Sequence, residues 1–443
     1  LESDGDIAAV PVSLYRKEVS EGYQYYEARE WLTQARSGIE ADNLLIKSKR
    51  NILMQGVKIK TIGDSGLYAT GDIVLADAKE YKTYELRQTI EDDGFLGFGS
   101  SETTIHESWR REWSLGSEAN VGGELTMESG KNQVMVGAKI HAHEMKLRAG
   151  TAEYAAVVSL LPGVNTYDYY LMVEESGFGF CGLGLGYYDN TTNKKDKDLE
   201  RMPTVIRVED KFLVYSSGGF KQVSSTIEGN VIKIDAREIE VGVAPNLKSR
   251  FLHIDRQGFG IGLSLGGGNF GITVGGQWYE SNVGMDLAEH QQLSEIIGNF
   301  VAIDADQIKD YGARYYAEQI KLHSKIIVHG AVYDTVAYQA SVQSGGAGLS
   351  IGINSNIGNI IEGGREIIRD DGGLEAIVNK GFAGLEVYSN LMQLMAGEGA
   401  NFGLNVYARY LSQEKEEWIK QGVATKIKAE KLEEIAKEKL TLE

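Results

Sequence analysis

The sequence is short of proline, cysteine and histidine, and the first two shortages exclude whole classes of protein. Its 443 residues include four prolines, one cysteine (Cys181) and seven histidines. Although 54 residues are glycine, so little proline excludes collagens and proline-rich linkers. A single cysteine excludes an intrachain disulfide and leaves the compartment open, because a cytosolic chain and an exported bacterial chain both fit it.

Basic residues are also scarce, at 45 against 63 acidic residues, which gives a formal net charge of -18. This balance excludes nucleic acid as an expected partner, because phosphate binding needs a basic surface. It also disfavours anionic membrane surfaces, but it does not exclude insertion of apolar strands into lipid. No apolar run is long enough for a transmembrane helix, and no signal peptide is present. Since the sequence begins at Leu1 rather than Met, we expect a fragment or a processed piece.

Two sequence textures dominate the chain, and both occur between Gly229 and Tyr279. Residues 229–243, GNVIKIDAREIEVGV, alternate apolar with polar side chains, which predicts short strands with one buried face. Residues 258–279, GFGIGLSLGGGNFGITVGGQWY, carry glycine at nearly every second position, which predicts long strands with few side chains on one face. A chain of this length exceeds one ordinary core unless its architecture is elongated and repetitive.

The first texture recurs, which predicts a solenoid. It begins at Ser37 and returns within residues 123–150, 229–243 and 299–324. The second and fourth copies align without a gap, so Ile140 matches Tyr315 and Met145 matches Ile320. At roughly twenty residues per coil, the pattern is typical of a parallel β-helix with an inward ladder of Ile, Val, Leu and Ala.

We therefore expect a mainly β protein: a right-handed parallel β-helix with glycine-rich β-hairpin excursions, followed by a smaller α-helical C-terminal region. The predicted β-helix covers residues 1–362, in units of about 1–109, 110–217, 218–285 and 286–362. Residues 363–443 are predicted to be mixed and mostly helical, with helices at 373–397 and 412–443 flanking a strand at 400–411. The last helix would lead into a further domain.

The glycine-rich excursions follow pairs of coils, at residues 92–109, 175–192, 256–281 and 343–356. They have two interpretations. Each is a hairpin laid on the coils, as the general burial of apolar faces favours, or a hairpin that enters a bilayer with aromatic rings at the interface. The candidate membrane-facing or buttressing residues are Phe95, Phe98, Phe178, Phe180, Leu183, Leu185, Phe259, Ile261, Leu263, Leu265, Phe270, Ile272, Leu349 and Ile351.

Histidines offer little evidence of a metal site. His141 and His143 lie on the same face of one predicted strand, which two metal ligands require, but no third ligand is close in sequence. We expect an outward polar face there and no bound metal. His323 and His329 flank another strand and have no evident partner.

No pattern in the sequence predicts catalysis or a cofactor. Asp304 and Asp306 could form the acidic pair of a β-helical polysaccharide enzyme. However, Asp304 occupies a repeat position that holds Glu128 and Asp235 in other units, which favours a scaffold role. No GxxxxGK[ST] motif is present, and no GxSxG nucleophile elbow appears, because residues 262–266 and 348–352 have the GxSxG spacing only as part of the glycine-rich strand runs. The GxGxxG-like runs are not followed by a helical pattern.

The coil segments STIEGNVIKIDAREIEVGV and GGELTMESGKNQVMVGAKIHA alternate with the glycine-rich runs GFGIGLSLGGG and GGAGLSIGINSN. Together they resemble the haemagglutinin repeats of the filamentous haemagglutinin family, the large exoproteins of bacterial two-partner secretion. The resemblance covers roughly residues 37–356, and it rests chiefly on the glycine-rich runs, because many solenoids share the coil pattern alone.

The resemblance implies a protein that is secreted or at the cell surface of a Gram-negative bacterium. In the contact-dependent inhibition exoproteins that share the pattern, this region engages the target cell's outer membrane and passes a C-terminal toxin across it. The implied partners are the outer membrane of the producing cell for export, that of the target cell for delivery, and a toxin domain beyond Glu443. The alternatives are a structural adhesin stalk of the same family and, less compatible with the repeats, a β-helical carbohydrate-active enzyme.

Overall fold

The computed structural model describes residues 1–92, 100–181, 184–266, 269–350 and 405–442. These residues are almost entirely strands, and the described part contains no helix at all, so the predicted mainly β class is confirmed. A membrane-spanning helix is accordingly not found among them. The predicted helix at 373–397 lies outside the described residues.

The strands, in chain order, are β1 (Glu2–Ser3), β2 (Ile7–Ala9), β3 (Val12–Gly22), β4 (Tyr25–Ala35), β5 (Gly38–Ala41), β6 (Leu44–Ser48), β7 (Ile52–Gln55), β8 (Lys58–Thr61), β9 (Ser65–Ala69), β10 (Ile73–Ala76), β11 (Ala78–Asp92), β12 (Ser100–Leu115), β13 (Glu118–Ser129), β14 (Gln133–Val136), β15 (Lys139–Ala149), β16 (Val157–Leu161), β17 (Gly163–Cys181), β18 (Gly184–Met202), β19 (Val205–Val208), β20 (Lys211–Val223), β21 (Thr226–Gly242), β22 (Ala244–Gly266), β23 (Asn269–Gln292), β24 (Glu295–Tyr311), β25 (Arg314–Ser350), β26 (Asn405–Ala424) and β27 (Lys426–Leu442).

Parallel strands stack in three ladders, which form three faces of a β-helix. The first face begins with β5 and β8, the second with β1, β6 and β9, and the third with β2, β7 and β10. Later strands such as β21 and β24 bend through all three faces. Gly38 pairs with Lys58, so one coil takes 20 residues, and the predicted β-helix is confirmed.

Stacked apolar columns fill the coil interior. One column on the first face joins Ile140, Ile206, Ile227, Ile296 and Tyr315, and each of these side chains is almost completely buried. The predicted alignment of Ile140 with Tyr315 is therefore a real structural equivalence. Burying one such aliphatic side chain contributes about 1.5–3 kcal/mol, and a single coil has no neighbour to supply that burial.

Hairpins leave the β-helix at one corner, between the third and first faces, after every second coil. The intervening coils close that corner with a tight turn at Gly56, Gly137, Ser224 or Gly312, each with a positive φ. At Gly56 the φ is 58°, and a Cβ would lie 3.0 Å from the Cβ of Ala78, at the base of the next hairpin. Glycine is required there both by the left-handed backbone and by the close approach.

The hairpins pair edge to edge in one antiparallel sheet, which we call the hairpin sheet. Its strand order is β3–β4–β11–β12–β17–β18–β22–β23–β25–β26. Coils and paired strands share a spacing of about 4.8 Å, so two coils advance by the width of one two-stranded hairpin. Because one hairpin leaves the β-helix after every two coils, each hairpin lies within hydrogen-bonding distance of the next.

The predicted helix at 412–443 is wrong for the described residues, because residues 412–424 belong to β26 and residues 426–442 form β27. β26 pairs antiparallel with the second half of β25, and β27 pairs parallel with the first half on all three faces. Exposed and half-buried residues alternate along 412–420, which is a strand periodicity. The Lys- and Glu-rich composition favours a helix locally, but pairing with β25 outweighs so weak a preference.

Candidate functional site

The hairpin sheet is the part of the chain that a β-helical scaffold does not require. Along β11 beyond Ala78, consecutive residues are exposed or half-buried, so neither face of this strand is covered as the coil interior is. Val283 and Met285 in β23 and Val336 in β25 are buried near the base of later hairpins. Most of the described apolar core lies within the coils, and a small cluster around Met285 and Val336 belongs to the hairpin sheet.

Aromatic rings and cations stabilise the half of the sheet nearest the β-helix. Arg29, Tyr84, Trp109 and Tyr169 are paired in one cross-strand row. The Arg29 guanidinium lies 5.8 Å from the centre of the Tyr84 ring, which stacks on Trp109 at a centroid distance of 6.0 Å. Cross-strand pairs of this kind contribute about 0.2–1 kcal/mol each, which supports a sheet that lacks a second layer.

A groove runs across this half of the sheet. It has a volume of about 790 Å³ and is lined by residues from β3, β4, β11, β12, β17, β18 and β22. Its charges are paired, with Lys17 Nζ 2.8 Å from Glu30 and Lys197 Nζ 4.0 Å from Asp168. Burial, followed by the nearby carboxylate of Glu107, raises the pKa of Tyr169 to about 12.

Exposed aromatic side chains mark the border between this polar half and the glycine-rich ends. Phe178 pairs with Tyr187, which pairs with Phe259, and we call these three residues the aromatic row. They are 53%, 51% and 60% exposed. Trp278, 37% exposed, lies two residues closer to the base, opposite Gln257. An aromatic row left this open in a folded sheet is available to a partner.

The register brings many of the other predicted residues together beyond the aromatic row. Phe180 pairs with Leu185, and Leu185 with Ile261. Leu263 pairs with Ile272, and Leu265 with Phe270, while Leu349 pairs with Val274. For these residues the structure describes the backbone register alone. Phe95, Phe98, Leu183 and Ile351 lie outside the described residues.

Sequence reasoning missed a set of buried or half-buried hydroxyls where each hairpin returns to the first face. Ser117 Oγ lies 3.1 Å from the carbonyl oxygens of Met54 and Ala76, and it accepts a hydrogen bond from the backbone N–H of Val57 at 3.2 Å. Thr204, Ser294 and Thr425 occupy the same corner in later units. The available signal was a Ser or Thr directly before each first-face strand that follows a hairpin.

His141 and His143 both lie beside a carboxylate that sequence proximity could not show. Glu209 belongs to the next coil, and its carboxylate is 3.7 Å from His141 Nε2 and 3.0 Å from His143 Nδ1. The hydrogen bond to Glu209 raises the pKa of His143. Both imidazoles are about half exposed, as an outward polar face predicts. Within the described ranges, no group of three or more His, Cys, Asp or Glu side chains is arranged to hold a metal ion.

The expectation that His323 and His329 have no partner is wrong. His323 Nε2 lies 3.2 Å from Glu433. His329 is buried, with Nδ1 3.0 Å from Asp310 and Nε2 2.7 Å from Glu434. The two glutamates belong to β27, more than 100 residues later, so no local pattern reveals them.

A largely buried polar cluster in the last coils consists of Asp310, Tyr315, His329 and Glu434. Tyr315 donates a 2.6 Å hydrogen bond to Asp310, whose pKa burial raises. Burial opposes the charged form of His329, but its contacts with Asp310 and Glu434 outweigh burial and raise the pKa of His329.

Comparison with known families agrees with this architecture in the N-terminal third. Residues 19–152 match the family model described as the hemagglutinin repeat. No curated protein and no solved structure matches the chain. The match confirms the filamentous haemagglutinin-like repeat over those residues. Such repeats are of a structural, adhesin-like type rather than an enzymatic one, and proteins with them are typically secreted or surface-exposed.

Proposed function

We propose that this haemagglutinin-repeat chain acts in contact-dependent toxin delivery, as a non-enzymatic part of a Gram-negative exoprotein whose hairpin sheet engages the outer membrane of a target cell. The main support for this proposal is the exposed aromatic row of Phe178, Tyr187 and Phe259 at the border of the glycine-rich ends. In this proposal the toxin domain follows Glu443, and the producing cell's outer membrane is crossed during export.

The aromatic row fits a membrane interface chemically. Aromatic side chains have large apolar rings, and Tyr and Trp add a polar group, so these residues prefer the boundary between lipid and water. On one side of the row, β22 continues as Gly-Ile-Gly-Leu-Ser-Leu-Gly, and on the other it becomes polar at Gln257, Arg256 and Asp255. Full burial of three aromatic rings would contribute about 5 kcal/mol.

The hairpin of β22 and β23 also has a suitable length and backbone pairing. Its strands stay paired from Phe259, opposite Gly276, to Gly266, opposite Asn269. At about 3.4 Å per residue, the seven steps from Phe259 to Gly266 extend roughly 24 Å, compared with a hydrocarbon core of about 30 Å. Within lipid, backbone polar groups must be hydrogen-bonded. Pairing of β22 with β23 satisfies one edge of each strand, and β18 and β25 pair with the outer edges as far as Gly262 and Val274.

Vesicle flotation tests this proposal. The full chain is mixed with phosphatidylcholine–phosphatidylethanolamine vesicles, and we expect it to float with them. The double variant Phe178→Asp/Phe259→Asp should bind the vesicles at least about 100-fold more weakly than the wild-type chain. Each change removes an aromatic ring and adds a charge to the lipid contact. Tyr215→Asp is the matched control, since Tyr215 is 53% exposed on the β-helix. Failure of the wild-type chain to float, or equal flotation of the double variant, contradicts the proposal.

An adhesin stalk is the second candidate function, and the continuity of the two sheets favours it. Parallel ladders run from β1 to β27, and the hairpin sheet runs beside them from β3 to β26. Two hydrogen-bonded sheets in parallel make a stiff rod without any need for lipid. In a stalk, Phe178→Asp/Phe259→Asp changes neither vesicle binding nor secretion, and only thermal stability responds.

A further inference from the structure

We infer that the groove of the hairpin sheet binds a membrane-anchored oligosaccharide, the sugar chain of a glycolipid in the outer leaflet of the target membrane. The inference rests on the proposed function, because it names what the hairpin sheet contacts outside the lipid. It derives from the position of the groove relative to the aromatic row and from the side chains that the groove presents.

The groove and the aromatic row lie on the same face of the hairpin sheet. Tyr170 pairs with Lys195, and Lys195 pairs with Phe251, so these groove residues form a second cross-strand row in β17, β18 and β22. Each of them is eight residues from a member of the aromatic row on the same strand, with no register shift between them. Because side chains alternate along a strand, this even separation places both rows on one face.

The groove is far enough from the aromatic row to lie outside the lipid headgroups. At about 3.4 Å per residue, eight residues extend roughly 27 Å toward the β-helix. Phospholipid headgroups extend only about 5–8 Å beyond the hydrocarbon core, where the aromatic row lies in the proposed function. They cannot reach the groove. The oligosaccharide of a glycolipid extends farther from the lipid, so it is the part of the membrane that the groove can contact.

The groove offers the two kinds of contact that a sugar requires. Sugar rings have apolar C–H faces, which pack on aromatic rings, and hydroxyl groups, which need hydrogen-bond donors and acceptors. The Tyr170 ring makes an edge contact with His106 at a centroid distance of 5.5 Å, which restricts its orientation. Lys195 Nζ lies 5.7 Å from the centre of the same ring, and Lys197 Nζ lies 4.0 Å from Asp168. The exposed ammonium groups can donate to hydroxyls, and the carboxylate can accept from them.

The groove is also less acidic than the chain as a whole. Four cations and three carboxylates line it on the face of the aromatic row, whereas the whole chain has a net charge of -18. A fourth acidic residue, Asp196, borders the groove, but alternation directs its side chain to the opposite face, where Arg250 Nε lies 3.8 Å away. The groove can therefore accept an acidic or phosphorylated sugar as well as a neutral one. The cations are Lys17, Arg110, Lys195 and Lys197.

A peptide fits the groove less well than a sugar does. The lining strands from β4 to β22 each pair with a neighbour on both edges, so they offer no free edge to an added strand. An amphipathic helix needs a broad apolar groove, but Ala28 and Phe251 are the wholly apolar side chains on this face of the groove.

Vesicles that differ in the sugar chain test this inference. Phosphatidylcholine–phosphatidylethanolamine vesicles are prepared with lipopolysaccharide that has its complete core oligosaccharide, or with lipopolysaccharide truncated to its innermost sugars. We expect the wild-type protein to bind the first kind at least about tenfold more tightly, a difference of about 1.4 kcal/mol. Free core oligosaccharide, cleaved from its lipid, should compete and reduce this binding to the level of the truncated form.

Two double variants assign the preference to the groove. Tyr170→Ala/Lys195→Ala removes an aromatic ring and a cation from the groove, and it should abolish the preference while binding to truncated lipopolysaccharide stays unchanged. Tyr169→Ala/Lys194→Ala is the matched control. It removes an equivalent pair, with Lys194 Nζ 5.6 Å from the centre of the Tyr169 ring, from the opposite face of the same two strands, and it should keep the preference. Circular dichroism verifies that both variants fold.

The outcomes distinguish this inference from the proposed function. Binding of the wild-type protein to neither kind of vesicle contradicts the proposed function. Equal binding to both kinds leaves membrane engagement intact but overturns the assignment of an oligosaccharide. A preference that free oligosaccharide does not reduce also overturns it, because the contact would then be with the lipid. Equal loss of the preference in both double variants overturns the assignment to the groove.

Discussion

Insertion of one extra coil between the first two hairpins should detach them from each other. Duplicating residues 38–57, which contain β5, β6 and β7, adds one complete coil that ends in the tight turn at Gly56. The first hairpin, β3 and β4, would then lie three coils from the second, β11 and β12. The separation of β4 from β11 rises from about 4.8 Å to about 9.6 Å, too far for any N–H···O bond.

The expected loss follows from the register of β4 on β11. Eight residue pairs join these strands, from Tyr81 opposite Leu32 to Gln88 opposite Tyr25. An antiparallel ladder forms about one hydrogen bond per pair, and each contributes roughly 1 kcal/mol net. Contacts such as that of Arg29 with Tyr84 would also be lost. The first hairpin should therefore be destabilised by about 8 kcal/mol, enough to unfold it locally while the coils remain folded.

Hydrogen exchange read by mass spectrometry measures this effect. We expect fast exchange in residues 12–35 of the insertion variant and unchanged protection in coil residues 44–76. Duplicating the whole unit of residues 38–115, two coils plus a hairpin, is the matched control, because it preserves the rate of one hairpin per two coils. Protection of residues 25–32 that survives the single-coil insertion would refute the spacing argument.

Two further predictions concern buried polar groups. Ser117→Ala should lower the free energy of unfolding by about 1–3 kcal/mol, because it leaves the buried N–H of Val57 unpaired. As the control, Ser13→Ala removes an exposed hydroxyl and should change the free energy of unfolding little. Equal melting temperatures of the two variants would contradict a role for the corner hydroxyls. The pKa values of His329 and Asp310 are raised, which means that both groups bind protons more tightly in the folded state than in the unfolded state. The stability that they contribute is therefore lost as the pH rises. For His329 this loss begins near the ordinary pKa of about 6.5. The amides of β27 should accordingly exchange faster at about pH 8 than at about pH 6 after correction for intrinsic rates, and Asp310→Val/His329→Leu/Glu434→Leu should remove this pH dependence; a dependence that persists in the triple variant assigns it to other groups.

The parallel β-helix was accessible to sequence reasoning because its physics is local and repeated. Every coil needs inward residues two apart, so Ile140 and Tyr315 could be aligned from their neighbours alone. Pairs of coils between glycine-rich runs could be counted in the same way. The sequence also placed Phe178 and Phe259 among the candidate residues, since alternation with glycine is unusual in an ordinary strand.

The C-terminal strands show where local preference misleads. Residues 412–443 are rich in good helix formers, and an isolated peptide of this composition would favour a helix. Their conformation is decided by β25, which offers an antiparallel edge to β26 and a parallel edge to β27. Edges made by a distant segment are invisible in a local window, and the same is true of Glu434, which reaches His329 from a later coil.

What the sequence determined by itself is the unit: a coil of about twenty residues with an apolar interior, and a glycine-rich excursion after each pair of coils. What only the tertiary structure decided is that these excursions form one continuous sheet. That outcome depends on the equality of two distances, the advance of two coils and the width of one hairpin, both about 9.6 Å. This equality brings Phe178, Tyr187 and Phe259 from three strands into one exposed row. The complete row does not exist within any single hairpin, because it is assembled across two neighbouring ones.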